Sequence, residues 1–222
     1  MSHLIDATEM YLRTLYELEE EGIRPIRARL VERLHLSAPA VSETVARLEH
    51  EGLMRLNEDR TVQLTDEGRT RAISVMRKHR LAERLLTDVI GLRWDLVHAE
   101  ACRWEHVISD EVEERLVTVL EAPTHDAHGN PIPGLGPHSE PADLLSLADA
   151  AAEDAPVVIE RISEHLQADA KTITRLFEKG LTPGTRLMAQ PDGDVIVIET
   201  GEQTVRLEEE FARFVYVRPA AA

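Results

Sequence analysis

Residues 36 to 64 read LSAPAVSETVARLEHEGLMRLNEDRTVQL, and this stretch predicts a helix followed by a β-hairpin. Ser37 can cap the helix, and Pro39 suits its first turn because the N–H that proline lacks has no helical partner there. Apolar residues then recur at helical spacing until Gly52, where we expect the helix to end. Two short alternating segments follow on either side of the polar turn at residues 57–60, as in a tight hairpin.

Two further helices are predicted upstream of this stretch. Residues 4–21 place apolar side chains at helical spacing and stop at Gly22, and residues 27–34 form a second, shorter helical segment. Three helices followed by a hairpin are typical of a winged helix-turn-helix, which we assign to residues 1–73. The charge pattern agrees, because residues 24–60 carry seven arginines against six acidic residues, whereas the whole chain has a net charge of −16.

The composition restricts the class of protein. The 222 residues are 43% hydrophobic, which is enough for a buried core, yet no apolar run approaches the roughly 18 residues of a membrane-spanning helix. Residues 1–8 lack the basic and apolar segments of a signal peptide, and the single cysteine, Cys102, cannot form an internal disulfide. We therefore expect a cytoplasmic protein with no membrane partner.

The rest of the chain divides into a helical part and a β-rich part. Apolar residues keep helical spacing from residue 65 to residue 120, and one stripe of them offers a dimer surface: Leu85, Leu86, Val89 and Ile90. Five of the eleven prolines lie within residues 123–141 and predict a tether. Short alternating segments after residue 156 predict a small barrel. The predicted class is mainly α with small β parts, and the predicted domains are 1–73 (winged helix), 74–140 (helical dimerisation domain with the Pro-rich tether), 141–155 (linker) and 156–222 (barrel).

Side chains that bind metals concentrate within residues 79–106. His79 and Glu83 stand four apart on a predicted helix and therefore share a face. The helix predicted over residues 94–107 carries four more, namely His98, Cys102, Glu105 and His106. These four span an arc of roughly 100° and suit a first-row transition metal better than calcium or magnesium. Each residue alone also has an ordinary explanation, since cysteines are often buried in cores and a His/Glu pair is often a solvated ion pair.

Four segments of the chain resemble one known family. They are TEMYLRT (8–14), MRKHRLAER (76–84), HAEACRWEHV (98–107) and GNPIPG (129–134). Together they closely resemble the actinobacterial iron-dependent repressors of the diphtheria toxin repressor family, densely over residues 1–136 and faintly afterwards. The resemblance implies a homodimer with a DNA-reading head, a metal-binding dimerisation domain and a C-terminal SH3-like domain.

The resemblance also implies two metal sites per subunit. The regulatory site would comprise Met10, Cys102, Glu105 and His106. The ancillary site would comprise His79, Glu83 and His98, completed in the family by a Glu and a Gln three residues apart. The best match for that pair is Glu164 and Gln167, for which an exposed polar pair is the alternative explanation.

Further positions match functional segments of the family. Arg80 and Asn130 match residues that hold an anion near the ancillary metal, although Asp126 stands where relatives have a serine. The segment around Ile132 and Leu135 matches one that docks into the SH3-like groove, and a plain linker is the alternative.

The resemblance assigns the DNA contacts as well. The reading helix would contact DNA through Ser37, Pro39, Ala40, Ser42 and Glu43. Candidates for phosphate contacts are Arg27, Arg29, Arg47 and Arg60, unless they form ordinary surface ion pairs. Relatives have Thr at Ala40 and Gln at Glu43. Because a glutamate only accepts hydrogen bonds and favours the cytosine amino group, we expect the operator to differ from that of the family.

These expectations describe an Fe(II)-activated repressor of iron uptake and homeostasis genes that binds palindromic operators. A thioether and a thiolate favour Fe(II), Co(II) and Ni(II) over Mn(II), so Fe(II) is the expected cofactor, with Co(II), Ni(II), Mn(II) and Zn(II) as substitutes in vitro. The expected partners are double-stranded operator DNA and a second copy of the chain, without a small organic substrate. The alternatives are a manganese-responsive regulator of the same family, a sensor of an organic ligand with a structural metal, and a metalloenzyme. The enzyme is disfavoured because the sequence has no His-Glu-x-x-His and no nucleophile motif.

Overall fold

A computed structural model describes residues 7–135, 144–153, 155–201 and 203–220. It divides into two compact units, one of residues 1–79 with 102–114 and one of residues 80–101 with 115–222. The predicted start of the first helix at residue 4 and the predicted tether beyond residue 135 lie outside the described residues.

The helices are α1 (Ala7–Glu20), α2 (Arg27–Leu34), α3 (Ala38–His50), α4 (Asp66–Arg84), α5 (Val97–Trp104), α6 (Asp110–Val119), α7 (Leu147–Ala150), α8 (Glu164–Gln167), α9 (Ala170–Glu178) and α10 (Glu209–Ala212). The strands are β1 (Met54–Leu56), β2 (Val62–Leu64), β3 (Leu145–Ser146), β4 (Val157–Ile162), β5 (Arg186–Asp192), β6 (Val195–Thr200), β7 (Gln203–Glu208) and β8 (Val215–Pro219). A π-helical turn covers Leu85–Ile90, and 3₁₀ turns cover Trp94–Leu96 and Ala151–Glu153.

In the first unit, three helices and a hairpin form the predicted winged helix-turn-helix. The side chain of Ser37 caps α3 by accepting a hydrogen bond from the backbone N–H of Ala40. Strands β1 and β2 pair antiparallel around the polar turn. Leucines and valines from all these elements share one buried core, which includes Leu12, Leu15, Leu30, Val45 and Leu48. Burial of this apolar surface holds the reading helix α3 and the hairpin in a fixed relation.

In the second unit, six antiparallel strands form one sheet in the order β3-β8-β4-β5-β6-β7. One apolar core lies against it, with Ile159, Ile196, Ile198, Leu207 and Val217 among its members. The predicted strands and the predicted helix at residues 170–179 are therefore present, within a residue or a few at their ends.

The linker predicted at residues 141–155 is wrong over its described part. Strand β3, helix α7 and a 3₁₀ turn occupy residues 145–153. Leu147, Ala150 and Ala151 belong to the core of the sheet. The abundance of Ala and Asp suggested a mobile segment, but the small alanines fit closely against the sheet and so make this segment the start of the domain.

The tether predicted from residue 123 is also structured in residues 123–135. His125 and Pro131 pair as an isolated β-bridge, and the backbone N–H of Ile132 donates to the carbonyl of Thr124. Gly129 has a φ of +88°, and a Cβ on it would lie 2.0 Å from the carbonyl oxygen of Glu160. The glycine therefore permits this loop to touch β4, which a larger residue would prevent.

The predicted dimer stripe lies on the π-helical turn, which continues directly from α4. Val89 is 60% exposed and Ile90 is 55% exposed, whereas Leu86 is buried. Two of the four stripe residues thus present apolar surface in this chain.

Candidate metal centres and nucleic-acid interface

One face of α1 carries the polar residues of the first candidate centre. Tyr11, Leu12, Leu15 and Leu18 occupy the opposite face and are buried in the winged-helix core. At about 100° per residue this leaves Glu9, Met10, Arg13 and Glu17 within an arc of roughly 100°. The packing of the leucines therefore determines which way these four side chains point.

Arg13 links α1 to the segment of residues 102–106. Its Nη1 donates to both carboxylate oxygens of Glu105, at 2.8 and 2.7 Å, and to Sγ of Cys102 at 3.3 Å. Its Nε donates to Oε1 of Glu17 at 2.6 Å. The Arg13 residue is only 4% exposed. The side chains of Cys102 and Glu105 therefore converge on one point beside α1.

Two histidines complete this cluster. Nδ1 of His79 lies 2.6 Å from Oε2 of Glu105, and Nδ1 of His106 lies 2.5 Å from Oε2 of Glu9. Nε2 of His106 lies 3.2 Å from Oε1 of Glu105 but without the geometry of a hydrogen bond. Two ligand-type atoms that face each other at this distance, in a buried place, fit a centre that binds a cation.

The electrostatics of the cluster favour an ionised Glu105. Burial alone would raise the pKa of this carboxyl, but Arg13 and His79 outweigh burial and lower the pKa to about 2. Burial would lower the pKa of His106, but the hydrogen bond to Glu9 and the charge of Glu105 raise it above its ordinary value. A metal at His106 must therefore displace a proton that the acidic neighbours stabilise.

Met10 lies on the same side of α1 as Arg13, three residues earlier in the chain. Its residue is half-buried, and its carbonyl accepts a hydrogen bond from the hydroxyl of Thr14. The structure thus brings together Cys102, Glu105 and His106 and places Met10 on the facing helix. A thioether, a thiolate, an imidazole and a carboxylate fit a divalent first-row transition metal.

The helix predicted over residues 94–107 is shorter than expected. Helix α5 ends at Trp104, and Glu105 and His106 lie in the turn that follows. The hydroxyl of Ser109 then accepts a hydrogen bond from the backbone N–H of Val112 at the start of α6. The last two ligand residues therefore reach the cluster from a turn and not from a helical stripe.

The second candidate centre lies in the other unit, around Glu83. Its carboxylate lies 3.3 Å from Nδ1 of His98 and 2.9 Å from Nδ1 of His128. One ligand atom each of Glu83, Asp126 and His128 lies within 4.8 Å of the others, and all three residues are buried. Nε2 of His128 has no hydrogen-bond partner. Two carboxylates and two imidazoles in one buried place are suitable ligands for a divalent metal.

Asp126 is held by the loop in which it lies. Its Oδ1 accepts hydrogen bonds from the backbone N–H groups of His128 and Asn130, and its Oδ2 accepts one from the side chain of Asn130. Burial and the nearby charge of Glu83 raise the pKa of Asp126 to about 7. The carboxyl is therefore a poorly compensated acid that a bound cation would stabilise in its charged form.

Arg80 and Asn130, the expected anion holders, both interact with Asp126. The guanidinium of Arg80 is fully buried and lies 3.8 Å from the carboxylate of Asp126. It also binds Glu164, through Nε at 2.8 Å and Nη2 at 2.7 Å. The carboxylates of the protein itself therefore face the two residues that the resemblance associated with a bound anion.

Glu164 and Gln167 lie on the short helix α8, and the exposed polar pair weighed as the alternative is wrong because each residue is 3% exposed. Glu164 pairs with Arg80, and the Gln167 amide donates to the carbonyl of Ile162 at 2.7 Å. Oε1 of Gln167 is buried without a hydrogen-bond partner.

The predicted DNA-contacting residues lie on the exposed side of α3 and near it. Ser37, Pro39, Glu43, Arg29, Arg47 and Arg60 are exposed, and Ala40, Ser42 and Arg27 are half-exposed. Arg29 pairs with Glu32 at 2.5 Å and Arg47 with Glu51 at 2.7 Å. Exposed pairs of this kind are weak, so a DNA phosphate can replace the carboxylate at little cost.

Known proteins match the chain domain by domain. Residues 3–62 match the iron dependent repressor N-terminal DNA binding domain, residues 65–134 its metal binding and dimerisation domain, and residues 146–219 the FeoA domain. The iron-dependent repressor IdeR of Mycobacterium tuberculosis is 51% identical over 227 residues, which cover 98% of this chain and 99% of that protein. The chain belongs to the iron-dependent repressor family.

Two further comparisons place this repressor within the family. The diphtheria toxin repressor of Corynebacterium diphtheriae is 48% identical over 225 residues, which cover 94% of this chain and 100% of that protein. The structure of a manganese-dependent transcriptional repressor in complex with manganese matches with a TM-score of 0.81 at 29% identity, covering 96% of this chain and 100% of that one.

These matches confirm the predicted fold class and the predicted family. The protein is a metal-dependent transcriptional repressor and not an enzyme, with a winged-helix DNA-binding domain and a helical domain that indicates a homodimer. The FeoA match begins at residue 146 and so includes most of the segment that was predicted to be a linker. No described helix of the repressor is both long and apolar enough to cross a membrane.

Residue type alone does not identify several residues of the two centres. Arg13 is not recognisable from the sequence because arginine is not a metal ligand, and Glu9 is one of many acidic residues on the chain. Asp126 and His128 lie in the segment whose prolines predict a tether. The signal for the last two was their spacing of two residues beside Gly129 and Asn130, in a loop that can fold back on itself.

Proposed function

We propose that Fe(II) bound by Met10, Cys102, Glu105 and His106 activates this repressor to bind a palindromic operator as a homodimer in the cytoplasm, where it controls iron uptake and homeostasis genes. The observation that carries the proposal is the convergence of Cys102, Glu105 and His106 on the face of α1 that holds Met10. When bound, the ion supplies positive charge and bonds to sulfur, nitrogen and oxygen donors.

The proposed switch follows from where α1 lies. Helix α1 packs in the same core as the reading helix α3, whereas Cys102, Glu105 and His106 come from the metal-binding and dimerisation domain. Ligands on both sides fix α1 against that domain and so limit the orientations of α3. Two reading helices of a dimer must enter major grooves about 34 Å apart, so a fixed orientation favours operator binding. A hundredfold gain in affinity corresponds to about 2.7 kcal/mol, within the usual range of allosteric coupling.

Iron is the proposed metal because two sulfur donors favour a softer ion than Mn(II). A manganese-responsive repressor is the second candidate, since two solved structures at 28–29% identity are described as a manganese-dependent transcriptional repressor and a manganese regulator. The 51% identical relatives are named iron-dependent. Co(II), Ni(II), Mn(II) and Zn(II) are the proposed substitutes in vitro.

A second metal is proposed at Glu83 and His98, joined by Asp126 and His128. The resemblance adds His79, Glu164 and Gln167 to this site, and these three remain predictions; the Nδ1 atom of His79 contacts Glu105 of the first cluster. Asp126 and His128 are added here because they lie beside Glu83 in a buried place. We do not propose a bound anion at Arg80 and Asn130, since Asp126 faces both of them.

The proposed metal response can be tested by anaerobic titration of Fe(II), Mn(II) and Zn(II) against a fluorescent duplex selected by the wild-type protein. Met10→Ala and Cys102→Ala are expected to weaken metal-activated binding at least about a hundredfold while the chain stays folded by circular dichroism. Met188→Ala, at a half-buried methionine of β5, is the matched control and should respond as the wild type does.

Three outcomes would count against this function. If both variants still bind DNA in response to metal, Met10 and Cys102 do not form the regulatory site. Tighter activation by Mn(II) than by Fe(II) would favour the manganese regulator. Unfolding by a chelator, in place of DNA release by a folded protein, would indicate a structural metal and a sensor of another ligand.

We further propose that Ser37, Pro39, Ala40, Ser42 and Glu43 face the bases and that Arg27, Arg29, Arg47 and Arg60 contact phosphates. Their exposure on and near α3 supports this. Selection from random duplexes should give different half-sites for wild type and Glu43→Gln, because only Gln can both donate to and accept from adenine. Glu58→Gln, in the exposed hairpin turn, is the control. Identical half-sites for all three proteins would overturn the role of Glu43.

A further inference from the structure

Arg13 is surrounded by the donors of the regulatory centre. One nitrogen, Nη1, contacts both oxygens of Glu105 and the sulfur of Cys102, and the residue is almost completely buried. An arginine buried to this degree is stable only if anions surround it. Glu105, Cys102 and Glu17 are the groups that fill this requirement.

The same lone pairs that accept hydrogen bonds from Arg13 are those that a metal would need. A carboxylate oxygen or a thiolate that accepts a short N–H bond has less electron density to give to a metal, and the guanidinium carries a positive charge into the same space. A divalent ion and Arg13 therefore repel one another and require the same ligands.

We propose that the Arg13 guanidinium occupies the regulatory centre in place of a metal and binds Cys102 and Glu105 until an activating metal displaces it. This competition raises the metal concentration needed for repression. This inference rests on the ligand assignment of the proposed function. It adds a residue that binds no metal and yet sets the metal threshold.

Glu17 can remain bound to the Arg13 guanidinium after a metal displaces it. It stands four residues after Arg13 on α1, and its carboxylate already accepts from Nε at 2.6 Å. Arg13 can therefore release Glu105 and Cys102 by rotating its outer bonds while it keeps one buried partner. Exchange of one cation for another at Glu105 also avoids leaving that buried carboxylate uncompensated.

A second buried ion pair in the same unit shows which property is special to Arg13. Arg33 and Glu21 pair with side chains that are 7% and 2% exposed. The Arg33 guanidinium donates to both carboxylate oxygens of Glu21, which is not a residue of the regulatory centre. Removal of Arg33 should therefore destabilise the winged-helix core without changing metal binding, and it serves as the matched control.

The test is an anaerobic titration of the full chain with Co(II), followed by the thiolate-to-cobalt absorption band. Since Cys102 is the only cysteine, this band reports on the regulatory centre alone. Arg13→Leu, which removes the charge without adding a metal donor, is expected to bind Co(II) about tenfold more tightly than the wild type, or about 1.4 kcal/mol. Arg33→Leu should keep the wild-type dissociation constant.

Two further variants keep the test decisive if Arg13→Leu folds poorly. Arg13→Lys retains the charge and should keep an affinity close to that of the wild type. Glu17→Gln weakens the alternative partner of Arg13 and is expected to bind Co(II) more weakly, in the opposite direction to Arg13→Leu. An unchanged or weaker affinity of Arg13→Leu, or an unchanged affinity of Glu17→Gln, would overturn the inference. A wild-type protein without the thiolate band would instead overturn the proposed function.

Discussion

Replacement of Asp126 by Asn should stabilise the protein without metal, and the gain should depend on pH. Asp126 is buried in the second unit near the carboxylate of Glu83. Burial and that neighbouring charge raise the pKa of Asp126 from 3.8 to about 7. A carboxyl with a raised pKa contributes stability that is complete below its unfolded pKa and is lost as pH rises through its folded pKa.

The expected size follows from that shift. A change of about three pKa units, at about 1.36 kcal/mol each, penalises folding by about 4 kcal/mol once the pH is above 7. Asn removes this penalty but loses the hydrogen bond that Oδ2 accepts from Asn130, which costs about 1 kcal/mol. Asp126→Asn should therefore stabilise the protein by about 3 kcal/mol at pH 8 and destabilise it by about 1 kcal/mol at pH 4.

Urea unfolding with a chelator, from pH 4 to pH 8, measures this difference. Trp94 is a local probe, because its ring lies 4.3 Å from that of His128 and its Nε1 donates to the carbonyl of Ala127. Trp104→Phe removes the other tryptophan, and Asp192→Asn is an exposed control. A gain that is equal at both ends of the pH range, or a loss at pH 8, would refute the argument.

Three other outcomes are expected. Gly129→Ala should destabilise the second unit by about 3 kcal/mol in thermal unfolding, because Gly129 has a positive φ and a Cβ there would clash with Glu160. Gly180→Ala is the control and should destabilise less, because Gly180 also has a positive φ but lies in open space. Equal losses of stability in the two variants would contradict the steric explanation. Glu105 has a lowered pKa, so its contribution to stability is present above its ordinary pKa and should be lost as pH falls toward 2. In Glu105→Gln, the free energy of unfolding should therefore fall less steeply over this acidic range. The same pH dependence in the variant and the wild type would contradict the prediction. Ser37→Ala should remove the cap of α3 and lower the free energy of unfolding by about 1 kcal/mol in urea, and no change would show that the cap contributes nothing.

Much of the fold could be predicted because apolar residues recur at a clear helical or strand period in α3 and in the inner strands of the sheet. Ser37, Pro39 and Gly52 delimit α3 to within a few residues, and the alternating segments gave the inner strands of the sheet. The start of the sheet was missed because Leu145–Ser146 is only two residues long. A strand this short has no period of its own and forms through its partner β8.

The candidate centres were predictable only as far as residue type identifies a ligand. Cys102, Glu105 and His106 are recognisable as metal-binding types, and the structure brings them together. The counterion of a buried carboxylate cannot be identified in this way, because it depends on which distant residue points at it. Arg13 lies 92 residues from Glu105 in the chain, so its role becomes visible only once α1 is in place.

Asp126 places a fixed carboxylate beside Arg80 and Asn130, where a free anion would otherwise be needed. The occupancy of a free anion depends on its concentration, so the metal affinity of a site that needs such an anion changes with the phosphate or sulfate content of its surroundings. A side chain anchored by two backbone N–H groups is present once in every molecule, whatever the growth medium contains. The repressor should therefore keep the same metal response when the supply of small inorganic anions changes.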